Sequence, residues 1–439
     1  MKNIYGIKFD AMKHDFNLEV ASAYAGSALI YEYLDKIGFS ELVRRRLGIG
    51  KANNATYDMD FIVTSLVASY LIGCERIEHL NEFRQDPLLL AYLGVKKLPD
   101  PSLYRKDLRR FGKGGLEDLG RILSILAHPI LVRNGRVILD IDTTVGTVYG
   151  SQEGAAKGYN PTKHGRLSYR SSLIFDGLSR TCLSAEQWSG NVNGSNDNTI
   201  EQLDTTIRRL PHGVTVTAIR SDSDYANPNM YTYLEENEIG YAIKLPRNKR
   251  LFKQLEKGIL WDTRVCSDGV IIQTGSIQYR AESWDRRRRV VVIRKIYPND
   301  SAQTSLLKDE EYQFIVTNLP WSSYDIWVFY NQRANAENFI KESKLGFNID
   351  SISTSDFAAN KADLFCRMIA YNLFILFGTE ALPEELSNIT VRTFRRMFVN
   401  VPCVIVNHAG RRIMRLPEDY QYITEWQDIR QNLTGQQAA

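Results

Sequence analysis

Cysteine is sparse. Cys74, Cys182, Cys266, Cys366 and Cys403 are the five in 439 residues, and they are odd in number, far apart and never spaced C-x-x-C. That pattern argues against a disulfide framework or a structural zinc site and fits a reducing compartment. Long hydrophobic runs are missing too. Met1 to Asn17 mixes charges with isolated apolar residues, without the continuous stretch of a secretion signal, and no later apolar run reaches the length of a membrane span. The expectation is a cytoplasmic protein with no membrane partner. An excess of one charge is also lacking, since 55 Lys and Arg stand against 51 Asp and Glu. Net charge alone therefore does not point to a polyanion. Repeats and low-complexity tracts are absent, and only the polar tail from Gln431 to Ala439 reads as disordered.

What is present is an ordinary globular composition, 44% hydrophobic and 24% charged, in a chain long enough for two or three domains. Positive charge gathers at Arg44 to Arg46, at Arg286 to Arg289 and at Arg411, Arg412 and Arg415, although such runs are commonly solvated faces. From Ala23 to about Phe111 apolar residues recur every three and four positions, which predicts an α-helical N-terminal domain, placed at residues 1–130. Its helix opened by Pro101-Ser102 is basic and suited to face DNA. From Val137 the period falls to two. Strands are expected at 137–145, 171–175 and 181–188, then a helix at 198–210, a strand at 214–220, a helix near 227–237 and a strand at 241–245. That order is the one of a ribonuclease-H-like α/β core, assigned to 131–245 and 320–425. Residues 246–319 are β-rich and read as an inserted β subdomain, and 426–439 as a tail. Helices return at Tyr324 to Lys344 and at Ala359 to Gly378, the second apolar nearly all round and so buried.

Three places carry acids that chemistry can use. In Leu139-Asp-Ile-Asp142, strand alternation puts Asp140 and Asp142 on one face; two acids there are costly to bury without a cation, or else mark a solvated edge. Arg220-Ser-Asp-Ser-Asp224 places Asp222 and Asp224 where a strand ends, a position that collects ligands in open α/β sheets but also one where Asp commonly caps a turn. Tyr330, Arg333, Glu337 and Lys344, spaced by three, four and seven, fall on one stripe of a helix. A plain Arg333 to Glu337 surface pair is the bland account of that stripe. Taken together, the acids form an ordered Asp, Asp, Glu series. Such carboxylates suit two divalent ions that stabilise the attacking and leaving oxygens of phosphoryl displacement, and hard oxygen donors favour Mg²⁺ or Mn²⁺.

With these residues in hand, the sequence resembles the DDE transposases of bacterial insertion sequences, in the large group marked by a Tyr-x2-Arg-x3-Glu-x6-Lys signature. Tyr330, Arg333, Glu337 and Lys344 match that spacing without a gap. Asp142-Thr-Thr144 looks like the first acidic motif, Arg220-Ser-Asp222 like the second, and Gly150 to Pro161 like a loop after the first acid in one branch. Asp224-Tyr225 stands where the group usually has a glycine and an aromatic, so Asp224 competes with Asp222 as the second ligand. The resemblance implies a catalytic triad and metal site of Asp142, Asp222 and Glu337. It also implies binding of terminal inverted repeats, cut-and-paste strand cleavage and transfer, and a homodimer on two paired DNA ends. For DNA contacts, Arg333 and Lys344 suit phosphates and Tyr330 suits a phosphate or nucleotide. Trp284 beside Arg287 and Arg288 suits an unstacked base, or else core packing, and Lys163 and Arg166 suit the backbone. A nuclease without strand transfer and a domesticated DNA-binding protein are the rival functions.

Overall fold

The computed structural model describes residues 20–297 and 310–435, apart from Asn53, Ser195, Asn196 and Asp268, together with Asp15 and Leu18. The N-terminal part is helical, as its periodicity predicts. Its longer helices are α1 (Ser27–Lys36), α2 (Met59–Ile72) and α3 (Lys113–Asn134). Helix α2 is apolar on every side and almost wholly buried; it stops at Gly73, whose φ of 113° lies in the left-handed region that glycine tolerates. The helix expected to open at Pro101-Ser102 and run to Arg110 forms over Pro101–Leu108, started by Asp100, which accepts from the Ser102 amide at 3.0 Å, with proline at its first position. Its Arg105 and Arg110 are held by Glu78 and Asp107.

The protein is a mixed α/β structure with a mixed sheet. Strands β1 (Arg136–Thr147), β2 (Leu167–Asp176) and β3 (Cys182–Ser189) form an antiparallel meander. Helix α4 (Asp197–Arg208) crosses back to β4 (Thr215–Ser221), which pairs parallel with β1. Helix α5 (Pro228–Glu236) then leads to β5 (Gly240–Leu245), parallel to β4. Parallel neighbours need such crossovers. The order β3-β2-β1-β4-β5 leaves β1 central, with Asp142 opposite Leu173 of β2.

The β-rich segment is continuous with this sheet and does not stand apart as a subdomain. Strands β6 (Asp262–Val265), β7 (Ile271–Tyr279), β8 (Arg288–Ile296) and β9 (Glu310–Thr317) extend it antiparallel, β9 pairing with β5 through Phe314 to Leu245 and Val316 to Ile243. The reason is physical: β5 would otherwise offer an apolar open edge, and β9 satisfies its backbone groups. Val290, Val292, Phe314 and Val316 join the core on one face, while Val291, Ile293 and Ile315 join the other.

The helical N-terminal part likewise shares its core with the C-terminal helices, which corrects the boundary drawn at residue 130. Helix α8 (Phe357–Glu380) packs against α2 and α3, within one hydrophobic cluster running from Ala25 to Leu433. It has the length and apolarity of a membrane span but is buried nearly end to end. Its Asn372 holds the Cys182 backbone, accepting from N–H at 2.8 Å and donating to C=O at 2.7 Å. Before it come α6 (Ser323–Asn331) and α7 (Ala334–Phe347). The single helix expected over 324–344 is thus two, broken at Gln332 and Arg333. The expected tail is also structured in part. Helix α9 (Ile423–Thr434) buries Trp426, Ile429 and Leu433, and only 436–439 lie outside the described residues.

Candidate active site

Strand β1 is an interior strand, paired on both sides, and turns Leu139 and Ile141 into one core, leaving Asp140 and Asp142 on the opposite face beneath α6 and α7. Two acids on one face meet two arginines. Asp140 is fully buried and forked with Arg220, Nε to Oδ1 at 2.6 Å and Nη2 to Oδ2 at 2.7 Å. Asp142 meets Arg333 at 3.5 Å and takes the Thr143 amide at 2.8 Å. Each buried acid thus has an arginine beside it, Arg220 at Asp140 and Arg333 at Asp142.

Asp222 follows β4 and caps the short turn at Ser223–Tyr225, accepting from the Asp224 amide at 3.0 Å. One Asp222 oxygen serves the turn, and the other has no hydrogen bond among the described residues. Asp224 is engaged elsewhere: it pairs with Arg170 and accepts from the Gly194 amide at 2.7 Å. Arg170 also donates to Thr143 Oγ1 at 2.8 Å. Arg170 is one partner that sequence reasoning missed, and no spacing signal marks it, since it lies 54 positions from Asp224.

Glu337 stands on the first turn of α7 and is 62% exposed, accepting from Arg333 Nη1 at 3.0 Å and Nη2 at 3.2 Å. Arg333 begins that helix and is nearly buried between Asp142 and Glu337. Burial pushes the Asp142 carboxyl up to about 6; Arg333 and the Thr143 amide oppose the rise, while Asp222 and Glu337 add to it. Burial likewise raises Asp222, against its bond from the Asp224 amide and the charge of Arg333. Tyr330, at the end of α6, is raised by burial and feels Arg333, Asp222, Asp142 and Glu337. These four charged groups and the phenol therefore occupy one neighbourhood. Lys344, two turns along α7, is half-buried and has no ion pair among the described residues.

The donor set suits a hard divalent cation, being carboxylate oxygen throughout. Asp142 and Asp222 carry charge that burial leaves poorly compensated, which is the condition a cation relieves. In the arrangement seen, no three acid, histidine or cysteine groups among the described residues converge closely enough to hold an ion. Glu337 is turned onto Arg333.

The proposed outer contacts divide sharply. Trp284 is only 5% exposed and packs edge-on against Tyr231 and Tyr279, so no open face remains for a base. Arg288 is buried and forked onto Glu235 at 2.8 and 2.9 Å, with a further bond to Asp285 at 2.7 Å, which spends it on structure instead of phosphate. Arg287 is exposed, and so are Lys163 and Arg166 on the loop after β1. Arg166 lines a cavity of about 420 Å³ with Tyr149, Lys157 and His164.

No curated protein matches the chain. A solved structure, the cryo-EM structure of piggyBac transposase synaptic complex with hairpin DNA, aligns over 84% of this chain and 78% of that one, at 11% identity and a TM-score of 0.44. The family model for transposase DDE domain group 1 matches residues 7–438. With that match spanning nearly the whole sequence and the acids placed as described, the chain belongs to the transposase DDE domain group 1 family and is a DDE-type DNA transposase that works with divalent metal ions.

Proposed function

We propose that this transposase moves a bacterial insertion sequence by cut and paste, binding its terminal inverted repeats as a homodimer on two paired ends, in the cytoplasm at the nucleoid. Asp142, Asp222 and Glu337 are the catalytic carboxylates of a ribonuclease-H-like core, a reading supported by the element order and by the position of each acid. The observation that carries it is Arg333 lying between Asp142 and Glu337, 3.5 and 3.0 Å away, beside Asp222. An arginine bound there is a cation held where carboxylates gather.

These acids would hold Mg²⁺ or Mn²⁺, two ions in the full site, and bound ions supply charge stabilisation to the attacking and leaving oxygens of phosphate. The chain's own residues do the rest. Arg333, freed when Glu337 rotates inward, presents a planar fork to the scissile phosphate. Lys344, about 10 Å beyond Glu337 along the helix by its rise per residue, reaches the neighbouring phosphate as a point charge. Tyr330 walls the site against water and offers its hydroxyl. Lys163, Arg166 and Arg287 are exposed cations for the DNA flanks.

A strand-transfer assay with pre-cleaved ends and a supercoiled target tests this. Joined product in Mg²⁺ is expected from the wild-type chain. Cleavage of intact ends without any joining would instead make it a nuclease, and binding without cleavage a DNA-binding protein that has lost the activity.

A further inference from the structure

We propose that Asp140 and Arg220 form a positioning clip that sets where Arg333 and Glu337 stand relative to Asp142 and Asp222; the proposal rests on the triad reading above. The two clip residues sit two positions before the two aspartates, on β1 and β4. Besides its fork onto Asp140, Arg220 donates from Nη1 to the Phe329 carbonyl at 2.9 Å and to Gln332 Oε1 at 3.3 Å, with its guanidinium 4.9 Å from the centre of the Phe329 ring. Phe329 and Gln332 are the last turn of α6 and the break itself.

The break depends on that contact. In a continuous helix the Arg333 amide would bond the Phe329 carbonyl. Here it turns to the Tyr330 carbonyl at 2.9 Å, and Phe329 gives its oxygen to Arg220. A sheet arginine has replaced one rung of the helix, so α7 starts afresh after Arg333 and directs Glu337 over β1. A buried pair of this kind returns little net stability against an apolar pair, whereas its fork fixes orientation. Space around it is reserved: a Cβ added to Gly177, in the turn after β2, would run into both Arg220 Nη2 and Asp140 Oδ2. That glycine is required by room, since the clip fills the volume a side chain would take.

The test compares wild type with Arg220→Lys, which keeps the charge and loses the fork, and with Gly177→Ala, which touches none of the three acids, Arg333 or Lys344. Mn²⁺ binding is read from the free-ion EPR signal, end binding from Kd, and cleavage from single turnovers at saturating protein. In both variants Mn²⁺ affinity should fall about tenfold or more, as for groups that orient metal ligands. Cleavage should slow at least in proportion and recover in part at higher Mn²⁺, while Kd for the end stays within about twofold because phosphate contacts are untouched. Wild-type Mn²⁺ binding and cleavage in both, or losses that only track the folded fraction, overturn the clip. Glu337→Ala run alongside separates the two ideas: if it cleaves like wild type, the triad reading is what fails.

Discussion

At the scale of single residues, the site stores unfavourable charge. Burial pushes Asp142 up to about 6, well above the ordinary aspartate range. The folded state therefore binds that proton more tightly than the unfolded one. Stability from this group is full below about pH 4 and is lost as pH rises through 6, a difference of up to about 3 kcal/mol at neutral pH. Asp142→Asn should flatten this slope, melting higher than wild type at pH 7 without metal and no higher at pH 4. Divalent ions should raise the wild-type melting temperature and leave that of the variant unmoved. Identical pH profiles for the two proteins would show that Asp142 is not strained. A second prediction concerns Arg333, which should be dispensable for folding and needed for chemistry. Arg333→Ala is expected to slow cleavage at least tenfold, since phosphate clamps act in the transition state, and full activity in that variant would remove its role. The acids were legible in the sequence because alternation and strand ends have fixed geometry. Their protein partners were not, because Arg170 and Arg220 reach them across the sheet from positions no local pattern connects.

At the scale of elements, Trp284 is the clearest lesson. Its place next to an arginine run suggests a stacking platform, but β7, β8 and α5 surround it with Tyr279, Arg288 and Tyr231. Sequence adjacency names a residue's chain neighbours, while burial is decided by what the sheet brings over it. Trp284→Ala should consequently lower stability by roughly 3–5 kcal/mol, as large core deletions do, and slow binding and every cleavage step alike as folded protein is lost. An abasic nucleotide at the end should not rescue it; rescue would return the residue to DNA. The break between α6 and α7 was illegible for a related reason. Gln332-Arg333-Ala334-Asn335 contains neither proline nor glycine, and the interruption comes from Arg220, a tertiary contact. Helix α9 was different, since Trp426, Ile429 and Leu433 have helical spacing; polar neighbours masked a short apolar stripe.

At the scale of the whole molecule, the helical beginning and the C-terminal helices of the chain share one core. Arg395 donates to the Leu71 carbonyl at 2.9 Å and the Gly346 carbonyl at 2.7 Å, and Arg367 to the Glu75 and Phe347 carbonyls at 2.9 and 2.8 Å. Two buried arginines thus tie the end of α2 to the end of the helix that bears Glu337. A chain shortened to residues 112–439 should lose its cooperative melting, because α8 would face water along the side that α2 covers. A sharp transition and intact cleavage in that fragment would restore the separate domain. The account rests most directly on the three carboxylates. The decisive measurement is Mg²⁺-dependent cleavage of an end-bearing duplex by Asp142→Ala, Asp222→Ala, Glu337→Ala and, as the control, Asp224→Ala, each with its DNA affinity. No cleavage in the first three with near wild-type affinity, and retained cleavage in the fourth, is the predicted result. Near wild-type cleavage by any of the first three, or an inactive Asp224→Ala beside an active Asp222→Ala, would contradict it.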